Sequence, residues 1–179
     1  MRVGDVLYFS PRYRFADLDL NDTSKIVDAL RDRVTGFYLD PATRLLSTSD
    51  AFAAGLLCCA AIDFIALCAE VPPEAWLAKN IGAFGNDEQL AGRFWRWFRD
   101  GLVHEGRIKS FGQFSLDFSE LLTVVEPAMI VNPQRLLRST QAAFASQIER
   151  LDETESARLL KRLRRYFAAE VAFAARVAT

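Results

Sequence analysis

Residues 51–69 read AFAAGLLCCAAIDFIALCA, an apolar run with a single charge, Asp63. How this run is read decides the fold. Its length is about that of a bilayer span. Asp63 argues against insertion, since a carboxylate at the bilayer centre costs about 2.5–3.5 kcal/mol. The many alanines add little in favour of it. The other reading is a helix apolar around most of its circumference, which needs neighbours on several sides. That is the central helix of a bundle. Ser49 or Asp50 would cap it, and Val71-Pro72-Pro73 would end it near Glu70. We therefore expect an all-α helical bundle of about five helices and no membrane span.

Outward from this helix, the periodicity is mostly helical. A first helix is expected from Thr23 or Ser24 as cap to about Leu39, with Ile26, Leu30, Val34, Phe37 and Tyr38 as its apolar stripe. Before it, residues 1–23 read as an extended arm. Val3, Val6, Leu7, Tyr8 and Phe9 favour strand there, and Pro11 stops it. A short helical turn is expected over Pro73–Lys79, and then a loop marked by Gly82, Gly85 and Asn86. Asn86 or Asp87 would cap a helix running to about His104. Phe114, Leu116 and Phe118 then alternate with polar residues, the period of a half-buried strand. Leu121 to Val125 and Ala128 to Val131 would pair with it as a small antiparallel sheet. Asn132-Pro133 opens a helix to about Leu151, with Leu136, Leu137, Thr140, Phe144 and Ile148 inward. Asp152 and Glu155 suit a capping box for a last helix to about Val177.

The 179 residues suit one domain, and 51% apolar content suits a packed core. A net charge of −1 is not that of a protein coating duplex DNA by charge. Cys58, Cys59 and Cys68 are an odd number in one apolar stretch, so they read as buried reduced thiols of a cytoplasmic protein. With one histidine and no Cys-x-x-Cys pair, neither a metal site nor a cofactor is expected. No basic segment followed by a long apolar run opens the chain, so no signal peptide is expected.

The histidine, His104, lies near the end of the helix expected over 90–104. Leu90, Phe94, Trp97, Phe98, Gly101 and Leu102 form the core face of an ideal helix there. Gly101 on that face costs about 1 kcal/mol relative to Ala, which close approach of another backbone would explain. Arg93, Asp100 and His104 share one edge, with Asp100 four residues before the imidazole and placed to fix its tautomer. Arg99 is five residues from His104, about 140° around an ideal helix, so the two do not share a face. Either the long arginine reaches around, or two chains bring their motif helices together. The bland reading is a histidine at a helix C-terminus, with Arg93, Arg96 and Arg99 as a solvated edge.

The stretch Trp97-Phe98-Arg99-Asp100-Gly101-Leu102-Val103-His104-Glu105-Gly106 resembles the Arg-x4-His motif of the HEPN family, with Asp100 in the slot where a small polar residue is typical. The similarity takes in the helices before and after it, about two thirds of the chain, as a single HEPN-like domain over 1–179. The resemblance implies a metal-independent RNA endonuclease of toxin or defence type, paired as a homodimer through the motif helices. His104 would act as base or acid toward a ribose 2′-hydroxyl or leaving oxygen. Arg99 would stabilise charge on phosphate, and Asp100 would orient the imidazole. RNA, and an antitoxin or nucleotidyltransferase, would be partners. Some family members carry a tyrosine two residues after the histidine, the target of a partner nucleotidyltransferase, where this chain has Gly106. Non-catalytic RNA- or protein-binding members also exist, and a purely structural dimer is the third alternative.

Asp63 is a supporting candidate, because a carboxylate in an apolar helix is expensive unless paired, with Arg99, Arg93 or His104 as partner; the alternatives are a hydrogen bond to another buried polar group or simple exposure on one edge. Trp95 falls opposite the core face and is the aromatic expected at an interface or ligand. The last helix carries Arg158, Lys161, Arg162, Arg164 and Arg165, read either as an RNA backbone contact or, better, as a solvated face.

Overall fold

A computed structural model describes residues 1–19, 22–151 and 153–177. The fold is an all-α helical bundle with small sheets. It divides into two compact units, Met1–Phe37 with Ser146–Thr179, and Tyr38–Ala145.

In the first unit the arm is not one extended strand. It folds into a hairpin, β1 (Arg2–Val3) antiparallel to β2 (Val6–Leu7), because Gly4 takes the left-handed conformation at the turn. Helix α1 (Thr23–Val34) starts from Asp22, one residue before the expected cap. The Asp22 carboxylate accepts the Lys25 N–H and the Ser24 hydroxyl, which holds its carboxyl down at about 2. Helix α7 (Glu153–Tyr166) packs on α1. Asp152, expected in its capping box, lies outside the described residues. The last helix is broken in two: Phe167 separates α7 from α8 (Ala168–Val177). No Gly or Pro marks the break. Phe167 is instead buried between the rings of Phe9 and Phe15, at 5.3 and 5.5 Å.

The residues after the hairpin are tied down by Asp32 of α1. Its carboxylate accepts the Ser10 hydroxyl at 2.6 Å, the Arg12 N–H at 2.9 Å and Arg12 Nε at 2.6 Å. Burial opposes the Asp32 charge, but these donors outweigh it and hold the carboxyl below its ordinary value. A lowered carboxyl stabilises the fold above the ordinary carboxylate range and ceases to as pH falls through its folded value. Asp32→Asn should therefore lower the melting temperature at pH 6. The gap from the parent should close in acid, measured by circular dichroism between pH 6 and 2. A gap constant with pH would remove the charge from this account.

The second unit holds the central helix, α3 (Ala51–Ala69), as read from its composition. It is long and apolar enough to cross a membrane, yet Cys58, Cys59, Ala61, Ile62 and Ile65 are buried by neighbouring elements. Those neighbours are α2 (Asp40–Ser47), α4 (Pro73–Asn80) and the segment that carries His104. Burial pushes the Cys58 thiol up to about 12 and raises Cys59 further, so both are inert. Helix α2 goes beyond the expected elements. A π-wound turn at Thr35–Leu39 carries helical winding on to Asp40, placing Pro41 in a first turn, where its missing N–H is harmless.

After the motif segment come β3 (Gly112–Phe114), β4 (Leu122–Val125) and β5 (Ala128–Val131), in the order β3-β5-β4. The sheet is mixed rather than antiparallel throughout: β4 and β5 form the expected hairpin, but β3 runs parallel to β5. The alternating stretch 114–118 is mostly not strand. Leu116 and Phe118 are exposed, and the chain turns away where Asn132 Nδ2 donates to the Phe118 carbonyl at 2.6 Å. Asn132 also caps α6 (Pro133–Glu149), accepting the N–H groups of Gln134 and Arg135. Leu136, Leu137, Thr140, Phe144 and Ile148 are all buried, as expected.

Candidate functional site

Helix α5 (Glu88–Phe94) begins at Asp87, whose carboxylate accepts the N–H groups of Gln89 and Leu90, both at 2.9 Å. At Trp95 the winding changes. Trp95–Glu105 is a π-helix, with hydrogen bonds running i→i+5. Such a winding stacks residues five apart, which α-helical geometry keeps on different faces. Arg99 Nη1 therefore reaches His104 Nε2 at 3.2 Å within one chain. A guanidinium has no acceptor, so Nε2 takes the hydrogen bond and the ring proton of a neutral imidazole lies on Nδ1. His104 itself is exposed.

The same guanidinium binds two carboxylates. Arg99 Nη2 donates to Asp63 Oδ2 at 2.5 Å, and Nη1 donates to Asp100 Oδ1 at 3.1 Å. Burial opposes the Arg99 charge, but these two hydrogen bonds outweigh it and raise its pKa. Asp63 of α3 thus has a partner, and its side chain also reaches solvent. Asp100 does not orient His104 as expected, because its bond goes to Arg99.

In this segment the two tryptophans are exchanged relative to the faces expected. Trp95, expected outside, is buried, with the Arg99 guanidinium 5.6 Å from its ring centroid. Trp97, expected in the core, is half-buried beneath the Arg93 guanidinium. Phe94, Phe98, Gly101 and Leu102 keep their core places. Arg93 leaves the expected edge with Asp100 and His104, since its Nη1 donates to Glu126 Oε1 at 2.7 Å in the β4–β5 turn. Arg96 is exposed and lines an open cleft with Asp100, Trp95, Glu74 and Glu88.

The segment ends at Gly106, which takes the left-handed conformation that favours glycine. The chain then folds back beneath the helix end, with Arg107 N–H donating to the Gly101 carbonyl and Lys109 N–H to the Trp97 carbonyl at 2.8 Å. A Cβ on Gly101 would run into the Arg107 carbonyl oxygen, the close backbone approach that this glycine implied. Glu105 binds Lys109 at 2.8 Å and Arg107 at 3.0 Å, and the Lys109 hydrogen bond leads in lowering its carboxyl. Sequence reasoning missed Glu105; its only signal was a glutamate four residues before Lys109.

Around His104, then, Arg99, Arg107 and Lys109 face Asp63, Asp100 and Glu105. Each cation holds a carboxylate, and the six fixed charges cancel. Arg99 uses three of its five N–H donors and keeps two for an incoming anion. No group of three or more histidine, cysteine or acidic side chains among the described residues suits a metal. Compared with protein-family models, with curated proteins and with solved structures, the chain has no match.

Proposed function

We propose that this chain is a HEPN-like RNA endonuclease working without a metal, in the cytoplasm, as a homodimer through its motif helices. The observation that carries the reading is the meeting of Arg99 and His104 at 3.2 Å on one π-wound segment, with the guanidinium held by Asp63 of the central helix. An RNA phosphate takes the free donors of Arg99 and draws its Nη1 from the imidazole. The Nε2 lone pair is then open to accept the 2′-hydroxyl proton, while Arg99 stabilises charge developing on phosphorus. The exposed His104 and Val103 suit a surface where a second motif helix brings a second imidazole to act as acid. An antitoxin or a nucleotidyltransferase would restrain such an enzyme. Gly106 stands where the family's modified tyrosine would be, so restraint by that route is not proposed.

The test is cleavage of a mixed RNA pool in EDTA. The parent should give cyclic phosphate ends, and His104→Ala should lose about 10²–10⁴ of the rate while keeping its fold. Sedimentation of both proteins checks the dimer. The two carboxylates on Arg99 favour a second reading, a non-catalytic RNA-binding module, since they occupy the group that would meet phosphate. A folded, dimeric parent that binds RNA and leaves it intact establishes that reading instead.

A further inference from the structure

The charges around His104 cancel, so that surface does not attract a polyanion from solution. RNA binding is driven largely by cations replacing counterions along the phosphate backbone, so the cations must lie elsewhere. Helix α7 carries five basic side chains against two glutamates, a net of +3 in a chain whose total is −1. No other described helix has so large a net charge.

The burial pattern shows how that charge is displayed. Leu159, Leu160 and Leu163 are buried, and they define the inner face of α7. Arg158, Lys161, Arg164 and Arg165 are exposed and Arg162 is half-buried, so the basic residues share the outer arc. Arg158 Nη1 pairs with Glu155 Oε1 at 2.7 Å on the same helix. At the edge of the arc stands Tyr166, 55% exposed and braced edge-on against Phe167 at 4.8 Å. A braced, exposed ring beside a row of cations is the arrangement that binds single strands, by stacking a base while cations follow the backbone. A lipid surface fits less well: a membrane-lying helix needs a free apolar face, and that of α7 is buried within its own unit.

We propose that the outer arc of α7 is a docking surface for single-stranded RNA, with Lys161 and Arg165 on phosphates and Tyr166 under a base. The inference rests on the RNA reading above but not on catalysis. It is tested in the full-length His104→Ala protein, so that binding is measured without cleavage. The probes are an unstructured 20-nucleotide RNA and vesicles containing phosphatidylserine, each titrated across a range of salt.

Lys161→Gln with Arg165→Gln should weaken RNA binding at least tenfold at low salt. The slope of log affinity against log salt should flatten by about 1.4, or 0.7 for each lost phosphate contact. The melting temperature should hold, because glutamine is a good helix former and both positions are exposed. Tyr166→Ala should weaken binding without changing the slope. An unchanged RNA slope overturns the proposal, as does vesicle binding that the double variant abolishes while RNA does not bind. RNA binding through α7 by a parent that never cleaves would sink the nuclease reading alone. Cleavage with binding indifferent to α7 would sink this inference alone.

Discussion

Phe98→Ala is expected to lower the free energy of unfolding by about 3–5 kcal/mol, the usual cost of emptying a buried aromatic site. Phe98 is fully buried, stacked on Phe94 at 5.0 Å and tilted against Phe114 of β3 at 5.0 Å. Its ring therefore joins the π-wound segment both to α5 and to the mixed sheet. Little can collapse into the space it leaves, because Phe94 is held in turn by Phe84 at 5.5 Å. A loss of this size is a large part of the about 5–15 kcal/mol by which domains are stable. Phe98→Leu, which keeps much of the volume, should cost clearly less. Urea denaturation of the three proteins is the measurement. A midpoint for Phe98→Ala equal to the parent's would mean that the ring does not hold the segment in place.

What the sequence discloses here depends on whether a feature arises from composition or from backbone winding. The central helix arises from composition: apolar residues on most of its circumference need neighbours, and Asp63 within them needs a partner or an exposed edge. The neighbours are there, and Asp63 has both, pairing with Arg99 while its side chain is 39% exposed. The cap at Asp87 and the start of α6 at Asn132 arise from side chains that satisfy free N–H groups locally, and they too are legible.

Winding is different. Every face assigned in the motif segment presumed the α-helical repeat, and a change to i→i+5 bonding rotates the residues beyond Phe94. Within the same segment Trp95 and Trp97 are exchanged, Arg93 is drawn to Glu126 and Asp100 bonds to Arg99. The winding explains why Arg99 and His104, apart on an α-helix, touch on this one. No residue type announces a π-helix. The remaining misses are tertiary. The break at Phe167 is made by distant rings, and the Phe118 carbonyl is held by the side-chain amide of Asn132, neither visible in the local pattern.

Gly101 is where the winding and the site meet, and Gly101→Ala tests both. Two effects of opposite sign compete. Alanine is favoured over glycine inside a helix by about 0.8–1.0 kcal/mol. Against this, its Cβ would collide with the Arg107 carbonyl oxygen and stand 3.0 Å from the Lys109 backbone nitrogen. These are backbone atoms held by their own bonds to the Gly101 and Trp97 carbonyls, so they cannot swing aside as a side-chain end would. Relief requires the 107–109 loop to move away. That forfeits two backbone hydrogen bonds at about 1 kcal/mol each and adds an overpacking cost of about 1–3 kcal/mol. The collision outweighs the propensity gain, and a net loss of about 2–4 kcal/mol is expected, larger for Gly101→Val. The loop also carries Lys109, a partner of Glu105 beside the imidazole, so on the proposed nuclease reading RNA cleavage should fall by more than the loss of folded protein explains. Thermal melting and single-turnover cleavage on the same samples separate the two effects. An alanine variant more stable than the parent would show that the backbone does not approach Gly101 as described.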